Sequence, residues 1–454
     1  MSAPGFRERT ADVIAEGRIA PRIAKAVDHR REERNAAIAR TGNWEDLRAA
    51  GRTVRSDIVR RLPEILGRLA DAVEAAGGHV FFAADADEAN GYVIDVARRR
   101  GAERIVKAKS MATEEIGLNE TLQRAGLRVV ETDLGEWILQ LAGQRPAHII
   151  SPAVHLDRTD IAGVFAGHGR TETSDRPEDL NAYARAELRQ EFLQADMGIS
   201  GCNFAIAETG TICILTNEGN GRMVTSVPPV HIVVMGMERL VETWEQFDLM
   251  MSLLPPANGV DLTVYVNTIT GPRRPGELDG PEELHLIVLD NGRSRMLGTE
   301  FHSALQCIRC GACLDVCPVY RQIGGQAYGS AYSGPIGSVI TPQLVGGETV
   351  ELAKASTLCG ACYEVCPVMI PLQDLLLAQR RLNAAGASRA ERTAWRAWSA
   401  AWSRPALYRW TTAAGRGIAR VVPRRLVPRR WSAGREVPRP KRGTTPHRKA
   451  GGEG

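Results

Sequence analysis

The most constraining feature of the sequence is a group of seven cysteines between residues 307 and 366, out of nine in the whole chain. Their two motifs are Cys307-x2-Cys310-x2-Cys313-x3-Cys317-Pro318 and Cys359-x2-Cys362-x3-Cys366-Pro367. Crowded cysteines form disulfides in small secreted proteins, whereas in a cytosolic chain the same crowding indicates metal binding. The first motif matches the bacterial ferredoxin pattern, so the sequence predicts iron–sulfur clusters in this region.

The ferredoxin pattern also predicts which cysteines share a cluster. In that pattern the fourth cysteine of a motif ligates the cluster of the other motif. This crossed rule predicts one cluster on the set Cys307, Cys310, Cys313 and Cys366. The second cluster is then left with Cys317, Cys359 and Cys362. It is one cysteine ligand short.

The two motifs form a weak internal repeat, CGACLDVCPV and CGACYEVCPV, and aligning their Cys-Pro ends places Ser356 at the position of Cys307. The serine hydroxyl can ligate iron, the cluster can lose one iron to give a 3Fe-4S form, or solvent, substrate or a partner's residue can fill the open corner. We expect two clusters of the 4Fe-4S type, and these alternatives stay open for the second.

A structural zinc site is the main alternative for the same cysteines. Zinc sites use two pairs of ligands with longer spacers, and they need neither a third closely spaced cysteine nor a terminal proline. Structural thiols in a core are a weaker alternative. The other two cysteines, Cys202 and Cys213, lie in apolar strand-like segments, and we expect them to be core thiols.

The hydrophobic pattern divides the rest of the chain. Apolar positions at helical intervals predict a helical segment over residues 1–75. Residues 76–298 alternate apolar runs with helix-like segments such as 88–100 and 113–125, which predicts a parallel α/β sheet. The predicted strands are 79–84, 105–108, 127–130, 148–150, 204–207, 211–215, 231–235, 262–266 and 284–289. We expect the cysteine module over 299–385 and a helical tail over 386–454, its last 20 or so residues disordered.

The tail concentrates positive charge and tryptophan. Residues 381–454 hold 18 Lys and Arg against 3 acids, a net charge of +15 that leaves −11 for the rest of the chain. Because the positive charge is confined to one end, it indicates a tail that binds other surfaces electrostatically and not a nucleic-acid-binding fold. Five of the eight tryptophans lie there: Trp395, Trp398, Trp402, Trp410 and Trp431. Residues 391–409 are either a basic amphipathic helix for an anionic membrane or a partner, or an ordinary helix packed on the cysteine module.

The overall composition is that of a globular protein, with 44% hydrophobic and 24% charged residues. The sequence contains no run of about 18 uncharged apolar residues, so it predicts no membrane-spanning helix. The first residues lack the apolar stretch of a signal peptide. We therefore expect a cytoplasmic location, with membrane association through the tail as the alternative.

A turn formed by Glu208, Thr209, Gly210 and Thr211 is the candidate ligand site of the α/β region. The turn follows a predicted strand and offers a carboxylate, two hydroxyl groups and a flexible backbone, which suit a small carboxylic acid or a phosphate. The plainer and favoured interpretation is a tight turn whose polar side chains satisfy its own backbone.

Structural interpretations are also favoured for other polar residues here. Glu131, Asp133 and Glu136 follow a strand, where parallel sheets collect ligands, but acids at a helix N-terminus explain them too. His148 and His155 flank an apolar run, and we expect hydrogen-bonded structural histidines. No G-x-G-x-x-G, P-loop or G-x-S-x-G motif stands between a strand and a helix, so flavin and nucleotide have no visible anchor.

Several stretches together resemble one family. They are AKSMATEEIGLN (108–119), ETDLGEWILQL (131–141), HIISPAVH (148–155), AIAETGT (205–211), LDNGRS (289–294) and both cysteine motifs. On these residues the chain resembles the bacterial lactate-utilisation iron–sulfur proteins, the B subunit of a three-part L-lactate oxidation system. The resemblance runs from about residue 20 to about residue 415. It is more specific than ferredoxin motifs, which occur on many unrelated proteins.

The resemblance implies an α/β lactate-utilisation domain, with a sheet like those of sugar isomerases and CoA transferases, followed by an α-helical ferredoxin-like module with two clusters. It implies a non-catalytic electron-transfer subunit that acts with other subunits in the oxidation of L-lactate to pyruvate. Family members commonly have three cysteines for the second cluster, so Ser356 departs from the ferredoxin pattern and not from the family. A self-sufficient 2-hydroxy-acid oxidoreductase and a cluster-based redox sensor are the alternatives.

Overall fold

The structure, a computed structural model, describes residues 5–172, 174–259, 265–386 and 388–421. Its internal contacts divide the chain into two compact units, Met1–Arg381 and Leu382–Gly454. Every strand of the described residues belongs to the first unit.

Four helices open the first unit, because apolar residues recur there at helical intervals. They are α1 (Phe6–Glu16), α2 (Ile19–Thr41), α3 (Trp44–Arg60) and α4 (Leu62–Ala75). One apolar stripe of α3 and α4 is buried, and it contains Ile58, Leu62, Ile65, Leu66 and Leu69. Helices therefore cover most of residues 6–75.

The described residues contain ten strands. They are β1 (His79–Ala83), β2 (Arg104–Lys107), β3 (Arg128–Glu131), β4 (Met197–Ser200), β5 (Phe204–Ile206), β6 (Thr211–Thr216), β7 (Val230–Gly236), β8 (Leu240–Val241), β9 (Tyr265–Ile269) and β10 (Glu283–Leu289). Six of them form a parallel sheet in the order β1-β10-β7-β4-β2-β3. Strand β7 is apolar along most of its length because both of its faces are covered. The predicted parallel sheet is confirmed.

Helices connect these strands and cover the sheet. They are α5 (Ala86–Arg100), α6 (Met111–Glu115), α7 (Leu118–Arg124), α8 (Leu134–Ala142), α9 (Arg158–Gly167), α10 (Pro177–Leu193), α11 (Asn220–Ser226) and α12 (Trp244–Ala257). Alternate residues of β10 face different cores: Leu286 packs with the N-terminal helices, and Ile287 packs with α5 and α7. The other four strands form a smaller mixed sheet in the order β8-β5-β6-β9.

Local predictions differ from the structure at a few places. Residues 148–150 form a bend and not a strand, because Nδ1 of His148 accepts hydrogen bonds from the backbone N–H groups of Ile150 (3.0 Å) and Ser151 (3.3 Å). The helix predicted over 113–125 breaks at Gly117, whose φ of 59° separates α6 from α7. Strands β4 and β8 have no counterpart among the predicted strands. Residues 262–264 of the predicted strand 262–266 lie outside the described residues.

The cysteine region consists of short helices and loops. Its α-helices are α13 (Ala312–Asp315), α14 (Tyr320–Ile323), α15 (Gly334–Leu344), α16 (Ala361–Glu364) and α17 (Leu372–Ala385), and 3₁₀ turns cover Ser294–Met296, His302–Gln306, Gln326–Tyr328 and Gly347–Lys354. One hydrophobic core contains residues of this region, of the N-terminal helices and of the smaller sheet. The cysteine motifs are therefore built into the body of the first unit.

Two helices, α18 (Arg389–Trp402) and α19 (Pro405–Val421), occupy the second unit. The prediction of one helix over residues 391–409 is wrong, because α18 ends at Trp402 and α19 begins at Pro405. Trp398 stacks on Trp402 with ring centroids 4.9 Å apart, and both are exposed. Trp431 and the predicted disordered end lie outside the described residues. Among the helices that the structure describes, none is long and apolar enough to cross a membrane.

Arg55 of α3 joins three parts of the first unit, and its side chain is fully buried. Its guanidinium donates to four backbone carbonyl oxygens, those of Glu238 (2.7 Å), Leu240 (2.7 Å), Leu305 (3.1 Å) and Gln306 (3.1 Å). Burial lowers the pKa of Arg55 to about 10, so the group stays charged at neutral pH. Because a buried charge is stable only with its hydrogen bonds made, this arginine fixes the approach to the first cysteine motif.

The variant Arg55→Met should leave four buried carbonyl groups without their donor. Since a hydrogen bond to a charged group contributes about 1.5–3 kcal/mol, we expect the free energy of unfolding to fall by about 3 kcal/mol or more. Anaerobic calorimetry should then show a melting temperature lower by roughly 4 °C or more. Arg52→Met, on the exposed face of the same helix, is the matched control and should change stability by less than about 0.5 kcal/mol. Equal melting temperatures for the two variants would contradict this role.

Candidate metal centre

The two cysteine motifs share a backbone conformation as well as a sequence pattern. The residue before the first cysteine of each CGAC segment has a positive φ, 61° at Arg309 and 57° at Leu358. The glycine of each segment does too, with φ of 80° at Gly311 and 86° at Gly360. Positive φ is uncommon for residues other than glycine, so a repeat of the same pattern marks a specific loop shape.

Ser356 lies where the repeat predicts it. In the first motif, the backbone N–H of Arg309 donates to Sγ of Cys307 at 3.4 Å. In the second motif, the backbone N–H of Leu358 donates to Oγ of Ser356 at 3.1 Å. The serine hydroxyl therefore has the same position in its loop as the first thiol has in the other loop.

Four of the cysteines lie close together although they come from both motifs. Burial raises the pKa of the Cys310 thiol, and the nearby sulfur atoms of Cys366 and Cys307 raise it further. Burial also raises the pKa of Cys313, to which Cys307 and Cys310 contribute. The pKa of Cys366 is raised to about 11 by burial, with a contribution from Cys307. The first group thus consists of three cysteines of the first motif and the last cysteine of the second.

The remaining three cysteines form a second group. Burial raises the pKa of the Cys362 thiol to about 12, and the nearby Cys317 and Cys359 raise it further. Cys359 is exposed, and its pKa is lowered chiefly by a hydrogen bond from the backbone of Ala361. Cys362 also contributes to the raised pKa of Cys313, so the two groups adjoin. The structure brings together the cysteines that the crossed assignment groups.

The spacing of the sulfur atoms suits clusters better than single ions. No three cysteine sulfur atoms of the described residues lie within 4.8 Å of one another. Four thiolates at about 2.3 Å from one zinc ion would lie about 3.8 Å apart. A cluster holds its thiolates on separate iron atoms, which spreads them more widely. The donor set therefore fits iron–sulfur clusters.

Hydrogen bonds and positive charge surround these cysteines. Backbone N–H groups donate to Sγ of Cys317 from Tyr320 (3.5 Å) and to Sγ of Cys366 from Ile370 (3.4 Å). Three buried arginines donate to carbonyl oxygens of the motifs: Arg34 to Val365 (3.1 Å), Arg48 to Cys366 (3.1 Å) and Arg239 to Cys307 (3.0 Å). Such groups favour the reduced, more negative state of a cluster and so raise its reduction potential.

The turn of residues 208–211 uses its polar atoms inside the protein. Oε1 of Glu208 accepts a hydrogen bond from the backbone of Trp244 (2.8 Å), and the hydroxyl groups of Thr209 and Thr211 lie 2.8 Å apart. Gly210 has a φ of 65°, and a Cβ there would come within 2.6 Å of the backbone of α4. These contacts support the structural interpretation, and a ligand role for the turn stays a prediction.

The acids after β3 divide into two kinds. Asp133 caps α8, since its Oδ1 accepts from the backbone N–H of Glu136 at 3.1 Å. Glu131 ends β3, and together with Glu136 and Glu114 it forms a group whose carboxylate oxygens lie within 4.8 Å. Nζ of Lys107 lies 2.8 Å from Glu131 in the same group. Burial raises the pKa of Glu136 well above its ordinary value. The interpretation as helix N-terminal acids therefore does not cover Glu131.

His148 and His155 are buried and hydrogen-bonded, as the sequence predicts. Nε2 of His148 lies 3.3 Å from Oδ1 of Asp315 in α13, and Nε2 of His155 lies 2.7 Å from Oε1 of Gln144. Burial lowers the pKa of His155 to about 4, so this ring is neutral at pH 7. Both histidines have structural partners.

A cavity of about 290 Å³ lies at the carboxyl end of the parallel sheet, next to the first cysteine group. Its wall includes Lys109 after β2, Arg239 after β7, and Arg309 of the first cysteine motif. Half-buried Cys202 lines it too, while Cys213 is buried in β6, as expected of a core thiol. These three cationic residues are not among the site residues predicted from the sequence. Their positions just after strands and between two ligand cysteines were the available signal.

Three family models match successive parts of the chain. Residues 66–289 match the LUD domain, residues 303–370 match the 4Fe-4S dicluster domain, and residues 378–449 match Lactate utilisation protein B, C-terminal. The middle match covers both cysteine motifs. The cysteine region is therefore an iron–sulfur domain that follows a LUD domain.

Two relatives named Lactate utilization protein B are similar over most of the chain. The protein of Bacillus licheniformis is 47% identical over 410 residues, which cover 89% of this chain and 86% of the relative. That of Bacillus subtilis is 47% identical over 384 residues, which cover 84% and 80%. The match to a solved structure of a DUF162 family protein from Deinococcus radiodurans covers 50% of this chain and 98% of the other chain, at 17% identity and a TM-score of 0.28. A TM-score this low does not indicate a shared fold. The chain belongs to the lactate utilisation protein B family.

Proposed function

We propose that this protein is the iron–sulfur electron-transfer subunit of a system that oxidises L-lactate to pyruvate. The observation that carries the proposal is the pair of adjoining cysteine groups, one buried and one reaching the surface at Cys359. The relatives are named for lactate utilisation, which supports the substrate. Removal of a hydride from a hydroxy acid is usually the work of a flavin or a nicotinamide, so we assign that step to another subunit.

The first group, Cys307, Cys310, Cys313 and Cys366, is proposed to hold one 4Fe-4S cluster, and Cys317, Cys359 and Cys362 are proposed to hold the second. Ser356 is proposed for the fourth position of the second cluster, which is supported by the matching backbone contact to its hydroxyl. When bound, such clusters accept and release electrons one at a time. The chain itself supplies burial, backbone N–H donors and guanidinium charge around the sulfur atoms.

We also propose the fold types of the two main domains. We assign residues 76–298 to a lactate-utilisation domain with a sheet like those of sugar isomerases and CoA transferases, and residues 299–385 to a helical ferredoxin-like module. The six-stranded parallel sheet supports the first assignment. The short helices α13 and α16, each of which begins inside a CGAC segment and contains its second cysteine, support the second. Residues 1–75 then form a helical segment before the sheet, and 386–454 form the tail.

The exposed cysteine marks the face at which a partner subunit exchanges electrons. Cys359 and its neighbour Thr357 are exposed, while the four cysteines of the first group are buried. Electron transfer needs a short distance between donor and acceptor, so a partner that docks beside Cys359 reaches the second group first. The buried group then exchanges electrons through the second one.

A self-sufficient 2-hydroxy-acid oxidoreductase is the second candidate. One observation favours it, namely the cavity at the end of the sheet, whose wall contains Arg309 from between two proposed ligands. The described residues offer no comparable support for a redox sensor. The two remaining candidates differ in whether the chain oxidises lactate alone.

Isolated holoprotein should not reduce a dye with L-lactate as donor, because the hydride step belongs to another subunit. When the partner subunits are added anaerobically, lactate should bleach the visible absorbance of the clusters. Both assays follow absorbance against a lactate-free control. Steady lactate-dependent dye reduction by the isolated chain would contradict the carrier and favour the oxidoreductase.

The variant Cys317→Ala tests the crossed assignment. We expect it to damage the cluster of Cys359 and Cys362 and to leave the cluster of Cys307 intact, which electron paramagnetic resonance of the reduced protein can distinguish. Iron content should fall by about half. Cys202→Ala, a cysteine outside both groups, is the control and should keep all the iron. Selective loss of the other cluster's signal would refute the crossing.

We also propose that the tail contacts an anionic membrane surface. Within the second unit, Trp395, Trp398, Trp402 and Trp410 are exposed, and arginines lie between them. Tryptophan prefers the membrane interface, and arginine is attracted by anionic headgroups. The break at Pro405 gives two short helices, which suit a surface and not a span.

Removal of the residues after Ala390 should abolish co-sedimentation with vesicles that contain anionic lipid, while the iron content stays unchanged. Full-length protein should bind these vesicles and release them at high salt, because screening weakens the attraction. Vesicles of neutral lipid are the control. Equal sedimentation of the full-length and shortened chains would exclude a membrane role for the tail.

A further inference from the structure

The cavity at the end of the parallel sheet is placed where open α/β sheets bind ligands. Its wall takes residues from the loops after several parallel strands, including Lys109 after β2, Asn203 after β4 and Glu238 after β7. Its volume of about 290 Å³ suits a molecule of a few heavy atoms. Arg309 and Tyr332 close it from the side of the cysteine region.

Three cations of the wall keep unused hydrogen-bond donors. Lys109 donates from Nζ to the carbonyl of Ile150 at 2.7 Å, which uses one of its three N–H groups. The guanidinium of Arg239 donates one hydrogen bond to the described residues, from Nη1 to the carbonyl of Cys307. Nη1 of Arg309 is buried and has no partner among the described residues. A buried donor without an acceptor is costly, so an anion placed here would gain several charge-assisted bonds.

The acids of the same wall are already engaged. Glu238 accepts from Arg309 (3.0 Å) and Arg293 (2.7 Å). Burial acts to raise the pKa of Glu238, but the guanidinium groups around it lower it to about 2. Asp133 and Glu218 each accept a backbone N–H at the start of α8. Four cationic side chains line the wall against these three acids, so the net charge of the wall is positive and the cavity suits an anion.

We propose that this cavity binds the carboxylate of a small 2-hydroxy or 2-oxo acid. The carboxylate follows from the cations, and the choice of acid rests on the proposed function. The backbone N–H of Arg309 donates to Sγ of Cys307 at 3.4 Å. A negative ligand held by this arginine lies beside the first cysteine group, where its charge opposes the addition of an electron. Binding should therefore lower the reduction potential of one cluster and leave the other unchanged.

Anaerobic calorimetric titration of the holoprotein with L-lactate, pyruvate, propionate and phosphate tests the inference. L-lactate or pyruvate should bind, and Lys109→Met should weaken that binding at least tenfold with the iron content unchanged. Lys25→Met, an exposed lysine of α2, is the matched control and should bind as the natural protein does. Equal affinities for Lys109→Met and Lys25→Met would overturn the site. Binding of phosphate as tight as that of the acids would overturn the ligand class.

A second variant keeps the test decisive if Lys109→Met is unstable. Leu215→Trp, on β6 in the cavity wall, should fill the space and abolish binding in a protein with all its iron. Redox titration should show one potential lowered by the bound acid, and two unchanged potentials would refute the placement beside the first group. If nothing binds and partner subunits still reduce the clusters with lactate, the inference fails and the proposed function stands. Binding without such reduction supports the inference and contradicts the function.

Discussion

Guanidinium groups that donate to backbone carbonyls in the cysteine motifs or just before them are the interaction on which the rest of this structure depends. Arg34, Arg48 and Arg55 come from the N-terminal helices, and Arg239 follows β7. A buried guanidinium needs these acceptors, and the buried carbonyl groups need these donors. Helices, sheets and cysteine loops therefore hold one another in place. This explains why a single hydrophobic core crosses the boundaries that the sequence pattern predicts.

The sequence is informative wherever a local pattern determines the structure. The cysteine spacing predicts the iron–sulfur domain, because closely spaced cysteines followed by Cys-Pro are the pattern of two-cluster ferredoxins. The alignment of the motifs agrees with the backbone, because Ser356 and Cys307 accept the same N–H contact in their two loops. At residues 148–150 the apolar run predicts a strand, but the hydrogen bond from the backbone of Ile150 to the His148 ring holds a bend there. The break before Pro405 is missed because the apolar periodicity continues on both sides of it.

The cavity could not be predicted from the sequence, for a different reason. Lys109, Arg239 and Arg309 come from three distant segments, and only the sheet topology and the packing of the cysteine region bring them to one wall. The buried carboxylate group around Lys107 has the same origin, since it joins side chains from β2, β3 and two helices. The turn of residues 208–211, for which the sequence favours a structural role, packs against α4 at Gly210.

The central claim is that the seven cysteines hold two clusters through which electrons pass. The most direct measurement is the iron, acid-labile sulfide and zinc content of protein purified anaerobically from cells supplied with iron. The account predicts roughly seven or eight iron atoms per chain with a similar amount of sulfide. Zinc in place of iron, or about four iron atoms in protein with all seven cysteines intact, would contradict it.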